Sequence, residues 1–323
     1  MALTYSWGFS VQKILLTGAT GFVGGALAEA LLNRHFEIVC AGRRSSPRIH
    51  FAHGDLGADT KWHPALQGCQ TVVHLAARVH QMADASKPVR SAYRHMNVDV
   101  TMNLARQAVQ AGVARFVFVS SIKVNGESSR DLPFTAEDLA APQDAYGESK
   151  LEAERGLLAL GQDAGMEIVI VRPPLVYGPG VRANFLRLMQ LVKAGVPLPL
   201  ASIRSKRSLV GIDNLVDFLT LCTSHPATPG KVWLVSDQQD LTIGELIGLI
   251  ASAMDRPARL FPMPPSLLKN AARFLGKASA GGRLLDPLCV DATPASILLG
   301  WKPPVAPDEG IRRTVRQFLL QSP

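Results

Sequence analysis

Ala145-Tyr-Gly-Glu-Ser-Lys150 sets a phenol and an ammonium four residues apart, with Ser120-Ser121 upstream. On a helix, residues i and i+4 share a face, so Tyr146 and Lys150 become neighbours. A free phenol titrates near pH ~10 and is a poor base unless its anion is stabilised. An ammonium one turn away lowers that value by charge proximity. A hydroxyl such as that of Ser121 polarises a substrate oxygen and orients the phenol. The set fits proton exchange with a carbinol or ketone oxygen. Tyr146 moves the proton, Lys150 tunes it and Ser121 holds the oxygen. Such a proton travels with a hydride, so a hydride carrier is needed.

The front of the chain supplies a place for one. Lys13-Ile-Leu-Leu16 is an apolar run of strand type, and it leads into Thr17-Gly-Ala-Thr-Gly-Phe-Val-Gly24. A helical pattern follows (Ala26, Leu27, Ala30, Leu31). Strand, glycines and helix together make a phosphate cradle. Gly18 allows the tight turn, Gly21 lets backbone approach a pyrophosphate, and Gly24 lets helix pack on strand. Thr20, Phe22 and Val23 complete the cradle, where the helix N-terminus offers free N–H groups. The second strand, Glu37-Ile-Val-Cys-Ala41, ends in Gly42-Arg43-Arg44, and no acid lies between Ala41 and Phe51. An acid there would hold a ribose 2′-hydroxyl, whereas an arginine accommodates a 2′-phosphate. Arg43 and Arg44 therefore point to NADP(H), with NAD(H) as the alternative.

Gly-x-x-Gly-x-x-Gly together with Tyr-x-x-x-Lys resembles the short-chain dehydrogenase/reductase superfamily. The Gly-Phe-Val-Gly ending and the length of 323 residues resemble its extended branch, which acts largely on nucleotide sugars. The resemblance implies further cofactor contacts. Asp55-Leu56 corresponds to the adenine-contacting acid and its neighbour, Leu75-Ala76-Ala77 passes under the adenine ribose, Lys150 also bonds the nicotinamide ribose, and Pro173 follows the sixth strand. The catalytic hydroxyl of the extended branch stands five residues before the Gly of a Val-Tyr-Gly element. That count gives Ser121 rather than Ser120, and Asn125 replaces the tyrosine. Related 4,6-dehydratases carry Asp-Glu directly after this hydroxyl. Here Ile122-Lys123 stands instead, which argues against a dehydratase and leaves Lys123 as a substrate-side residue.

On the same resemblance, Arg172-Pro-Pro-Leu-Val-Tyr-Gly-Pro-Gly180 leads into the substrate region, with Leu175 where many members carry Asn. Asn184, in Ala183-Asn184-Phe185, corresponds to a pyrophosphate and uracil contact. Arg207, opening Arg207-Ser-Leu-Val-Gly-Ile-Asp213, corresponds to a bidentate diphosphate clamp. Arg283 is a second clamp candidate, and Arg78 and His80 are candidates for the sugar pocket. The implied substrate is a UDP-sugar altered at C4. UDP-4-keto-6-deoxy-N-acetylhexosamine reductases and UDP-hexose 4-epimerases of surface-polysaccharide synthesis look alike here. Arg43-Arg44 suits a dissociable NADPH and favours the reductase over the epimerase. A cofactor-sensing regulator that has lost catalysis is a remote third reading, since such proteins usually lack the Tyr or the Lys.

Presenting these residues requires alternating elements. Lys13–Leu16, Glu37–Ala41, Ile49–His53, Thr71–Leu75, Arg115–Val119 and Glu167–Val171 read as strands, mostly continuous apolar runs of the kind buried on both faces. Val98–Ala111 and Tyr146–Ala164 read as helices. The expected fold is α/β, a doubly wound parallel Rossmann sheet with a smaller C-terminal substrate-binding lobe. Residues 1–174 form the dinucleotide domain, with return segments in about 205–237, and 175–323 form mainly the lobe. Arg207–Val216 and Lys231–Val235 are the expected returns. Helices are expected at Phe185–Ala194, Asp213–Thr223 and Ile243–Met254.

Composition narrows the class. Hydrophobic residues make up 47% and charged residues 19%, enough apolar material for a large core. The net charge of +8 is dispersed, so nucleic acid is not indicated, and a polyanionic small substrate accounts for part of the excess. Cys40, Cys69, Cys222 and Cys289 lack metal spacing and fit reduced thiols in a cytoplasmic setting, with no metal. Met1–Gln12 lacks the pattern of a signal peptide, and no apolar run reaches the ~18 residues of a membrane span. The basic stretch 266–285 reads as a lobe helix with solvated lysines. The resemblance also implies a homodimer through a four-helix interface built from Val98–Ala111 and Tyr146–Ala164.

Overall fold

Apolar strands need cover on both faces, and the chain provides it by winding helices to either side of one sheet. The computed structural model describes residues 12–79, 87–130, 132–274 and 285–321. The strands are β1 (Lys13–Thr17), β2 (Glu37–Gly42), β3 (Phe51–Ala52), β4 (Thr71–His74), β5 (Arg115–Val119), β6 (Glu167–Arg172), β7 (Leu175–Tyr177), β8 (Lys206–Arg207), β9 (Leu209–Gly211), β10 (Lys231–Leu234) and β11 (Leu241–Thr242). Seven of them form the main sheet in the order β3-β2-β1-β4-β5-β6-β10. Every pairing in it is parallel. The order reverses between β1 and β4, which opens a crevice beyond their carboxyl ends.

The two faces can be read from alternate residues. Ile14 and Leu16 join Leu27 and Leu31 of the helix Phe22–Asn33, and Leu215 and Phe218 of the helix Ile212–Cys222. Leu15, Phe116 and Phe118 face the other way, onto Leu104 and Ala108 of the helix Val100–Gln110 and Leu157 of the helix Ala145–Ala164. Each buried Leu or Phe stabilises by ~1.5–3 kcal/mol. A third cluster lies in the C-terminal half, where Tyr177, Phe185, Met189, Ile247, Ile250, Ile311 and Phe318 pack together.

The structure departs from expectation in three places. The third strand shrinks from Ile49–His53 to two residues, because the turn through Pro47 closes an antiparallel bridge between Ser46 and Ile49 first. The helix expected to start at Val98 is part of a longer run: α-helix Lys87–Arg94, one π-helical stretch His95–Asp99, then Val100–Gln110. The third concerns the expected returns to the sheet. Lys231–Leu234 returns beside β6, but Leu209–Gly211 does not. Pro173 and Pro174 end β6, so β7 leaves the sheet and takes β9 as its parallel partner. β8 pairs with β11 in another two-stranded sheet. Of the basic stretch, Pro265–Phe274 is helical and residues 275–284 lie outside the described residues. Among the described residues no helix is long and apolar enough to cross a membrane.

Candidate active site

Because the sheet is parallel, every strand delivers its carboxyl end to one edge. Gly18 follows β1, Arg43 and Arg44 follow β2, Asp55 follows β3, Leu75 to Arg78 follow β4, Ser120 and Ser121 follow β5, and Pro173 follows β6. The helix Ala145–Ala164 starts at the same edge. Asp144 caps it by accepting from the Gly147 N–H at 2.8 Å, and Gly165 ends it in the left-handed region.

Ser121 opens a short 3-10 turn, Ile122–Val124, which is also held by the Ile122 N–H donating to Pro173 O at 3.1 Å. The Ser121 hydroxyl stands beside the Tyr146 phenol and favours its ionised form. Lys150 is buried, and its ammonium donates to Val119 O at 2.9 Å and lies 4.4 Å from the centre of the Phe118 ring. Burial pushes the Tyr146 phenol up to about 12, with Ser121 pulling it down and Asp144 pushing it up. Burial also pulls Lys150 down to about 7, against the pull of Glu154 in the other direction. The expected lowering of Tyr146 by Lys150 is therefore corrected. In the ligand-free protein desolvation outweighs charge proximity, and Ser121 is the group that favours the phenolate.

The glycine loop fits a dinucleotide. Gly18 has φ +69°, and an added Cβ would lie 2.8 Å from the Ala76 N. At Gly24 it would lie 2.1 Å from Gly18 O. No side chain caps the helix that starts at Phe22, so its first N–H groups remain for an acceptor. Thr20 and Gly21 are exposed there, with Phe22 and Val23 half-buried. Ser120 Oγ is buried with no hydrogen-bond partner, which suits contact with a polar atom of a bound ligand. Arg43 reaches Asp55 at 3.4 Å, with both side chains mostly in solvent.

The substrate-side candidates are less gathered. Arg207 donates through Nη1 to Asp286 O at 2.8 Å. Asn184 is exposed on the first turn of the helix Ala183–Lys193. Arg78 lies 5.6 Å over the Tyr93 ring, and Tyr93 meets Tyr146 edge-on. The Lys123 ammonium lies between Glu127, at 2.8 Å, and Asp144. His80 and Arg283 lie outside the described residues.

Residues 14–236 match the model of the NAD dependent epimerase/dehydratase family. The UDP-glucose 4-epimerase of Vibrio cholerae is 45% identical over 314 residues, covering 95% of this chain and 96% of that protein. MoeE5, solved in complex with UDP-glucose and NAD, superposes with a TM-score of 0.76 at 26% identity, over 96% of this chain and 99% of the other. The UDP-glucuronic acid 4-epimerase of Bacillus cereus, solved with NAD, shares the fold with a TM-score of 0.78 at 21% identity, over 97% and 100%. The chain belongs to the NAD-dependent epimerase/dehydratase family. It is an enzyme of that family.

Beneath this epimerase/dehydratase edge lie polar residues that the motifs did not reveal. His74 is fully buried between Thr17 (Nδ1, 2.7 Å) and Thr101 (Nε2, 3.0 Å). Thr101 spends its proton on Asn97 O, so it accepts from His74 Nε2–H, and His74 Nδ1 accepts from Thr17. Thr17 in turn accepts from the N–H groups of Leu75 and Ala76. Burial pulls His74 down to about 3, so it stays neutral. Asn97 sits in the π-helical stretch and bonds Arg78 N, Arg78 O and Ser149 Oγ. Arg172 forks onto Glu154 at 3.0 and 2.6 Å and donates to Asn125 at 2.9 Å. This explains the Asn at 125: it accepts from a buried guanidinium and donates to Thr135 O. The one sequence signal for the network was a histidine closing an otherwise apolar strand, Thr71-Val-Val-His74.

Proposed function

We propose that the protein interconverts the C4 epimers of a UDP-hexose with NAD held in the glycine cradle. The carrying observation is Ser121 at the end of β5 beside Tyr146, with Lys150 one turn on along the same helix, at the strand ends that also carry the cradle. Full-length likeness to a UDP-glucose 4-epimerase supports the substrate class. When bound, the nicotinamide supplies the site that takes and returns the C4 hydride. Tyr146 takes the C4 hydroxyl proton and returns it to the same oxygen. Ser121 holds that oxygen and relays to the phenol. Lys150 holds positive charge near the phenolate once the site is filled. Asn184 and Arg207 bind the diphosphate side, with Arg78 near the sugar. The cofactor domain comprises 1–174 with the return at 231–234, and most of 175–323 forms the substrate lobe. The helices that cover Val98–Ala111 and Tyr146–Ala164 supply the proposed four-helix homodimer face. The setting is cytoplasmic, in keeping with four free thiols.

One observation favours a second reading. The end of β2 carries Arg43 and Arg44 and no acid, which suits NADP(H) and a 4-keto-sugar reductase. The test is UDP-glucose incubated with the protein and no added cofactor, then with NADPH and a UDP-4-keto-sugar. Conversion to UDP-galactose in the first mixture supports the epimerase. NADPH oxidation only in the second replaces it with the reductase.

A further inference from the structure

Lys123 joins the two elements whose separation sets the distance from Ser121 to Tyr146. Its backbone N–H donates to Ser121 Oγ at 3.3 Å, inside the 3-10 turn. Its ammonium crosses to the N-terminus of the helix Ala145–Ala164, where it bonds Asp144 and also Glu127 at 2.8 Å. The two Asp144 oxygens divide the work: Oδ2 meets Lys123 and Oδ1 caps the Gly147 N–H. The three side chains are about four-fifths buried, at 19%, 21% and 23% exposure. The backbone is close too, because a Cβ at Gly147 would lie 2.9 Å from Lys123 O.

We infer that Lys123 is a positioning residue: it clamps the Ser121 turn to the cap of the Tyr146 helix and offsets the Asp144 carboxylate near the phenol. The inference rests on the functional reading above for its kinetic arm. Both ends of the clamp are short. The turn is three residues, and Tyr146 is two residues past Asp144. Slack between them passes directly to the spacing of Ser121 from Tyr146. The charge effect acts in the same direction. Asp144 pushes the Tyr146 phenol up, and Lys123 stands against Asp144 and Glu127. The other groups set against Tyr146 are Ser121 and Tyr93 from the helix Lys87–Arg94, with Lys150 one turn on along its own helix.

The test compares the full-length protein with Lys123→Met and Lys123→Arg. For Lys123→Met, kcat falls about 10-fold or more while KM for the UDP-hexose stays within about 2-fold, as expected for lost alignment. The limb of the rate profile that rises with pH moves to higher pH, because the uncompensated Asp144 carboxylate then opposes the phenolate. Arginine can bridge both carboxylates and restores most of the rate. Independently of turnover, amide exchange quickens at the first turn of the helix Ala145–Ala164, around Gly147, in the Met variant alone. A raised KM with kcat intact overturns the inference and returns Lys123 to the substrate. Unchanged kinetics and exchange also overturn it. If the unsubstituted protein converts no UDP-hexose, the functional reading falls, and exchange at Gly147 decides the clamp by itself.

Discussion

The carboxyl edge of the sheet and the C-terminal lobe both face the proposed reaction, but they hold their residues by different means. Along the edge, parallel register places Gly18, Arg43, Arg44, Ser121 and Pro173 one or two positions beyond a strand, and a buried network ties the loops together. Thr17, His74, Thr101 and Asn97 form one hydrogen-bonded chain from the β1 end to the segment after β4. In the lobe, Arg207 lies on a two-residue strand and Asn184 on an exposed helix start. On the proposed function, chemistry sits at the edge of the parallel sheet and recognition on short elements of the lobe, so substitutions in the two halves should fail differently.

The largest effect is expected at the edge. Tyr146→Phe should lower kcat by ~10²-fold or more, because no other group reaches the same proton. Cofactor affinity should hardly move. A Phe variant with near-normal turnover would remove Tyr146 from the reaction, and the two halves would no longer divide chemistry from recognition. In the lobe, Arg207→Ala should raise the Kd for UDP itself ~10-fold, since a charge-assisted contact to phosphate exceeds the ~1 kcal/mol of a neutral hydrogen bond. Titration with UDP reads this without the sugar. Equal UDP affinity in both proteins would assign the diphosphate to other residues.

The same contrast governs what could be read in the sequence. Continuous apolar runs, a glycine loop and Tyr-x-x-x-Lys are local patterns, and they located six strands and the helix Ala145–Ala164. Strands of two or three residues, such as β7, β8, β9 and β11, are too short for an alternating pattern, so Leu209–Gly211 was placed in the wrong sheet. Lys123 and Lys150 illustrate a second limit. Residue type and spacing gave each a charge, but which oxygen receives that charge depends on burial and on distant partners, Asp144 for one and Val119 O for the other. Asn97 carried no signal at all, because its role comes from a π-helical stretch that turns it toward Arg78.

Lys150 also provides a pH test confined to the edge of the sheet. Burial lowers its folded-state value to about 7, below the ~10.4 of an unfolded lysine. A group depressed in this way penalises the fold wherever the unfolded chain binds the extra proton, so the penalty grows as pH falls from ~10 toward ~7 and then levels off. Lys150→Met should therefore raise the Tm of the ligand-free protein by a few degrees at pH 7, with the gain shrinking as pH approaches ~10. Thermal melts at both pH values check this. A gain independent of pH would attribute it to packing rather than charge, and lower stability at pH 7 would mean that the ammonium is satisfied where it lies.

The smallest effect is expected at Arg43 and Arg44, where the edge behaves more like the lobe. Arg43 and its partner Asp55 are 75% and 95% exposed, so the pair is loosely held and screened by water. Exposed ion pairs are worth ~0–1 kcal/mol, which corresponds to ~5-fold at most in an equilibrium constant. Arg43→Ala with Arg44→Ala should accordingly weaken NADPH binding by no more than ~5-fold and leave NADH nearly unchanged, with the effect shrinking as salt rises. Fluorescence titration of the two reduced cofactors at low and moderate ionic strength reads this directly. A loss of ~10²-fold confined to NADPH would mean that these arginines close around a 2′-phosphate in a desolvated pocket. It would also shift the reading from an epimerase that keeps its NAD to a reductase that exchanges NADPH at every turnover.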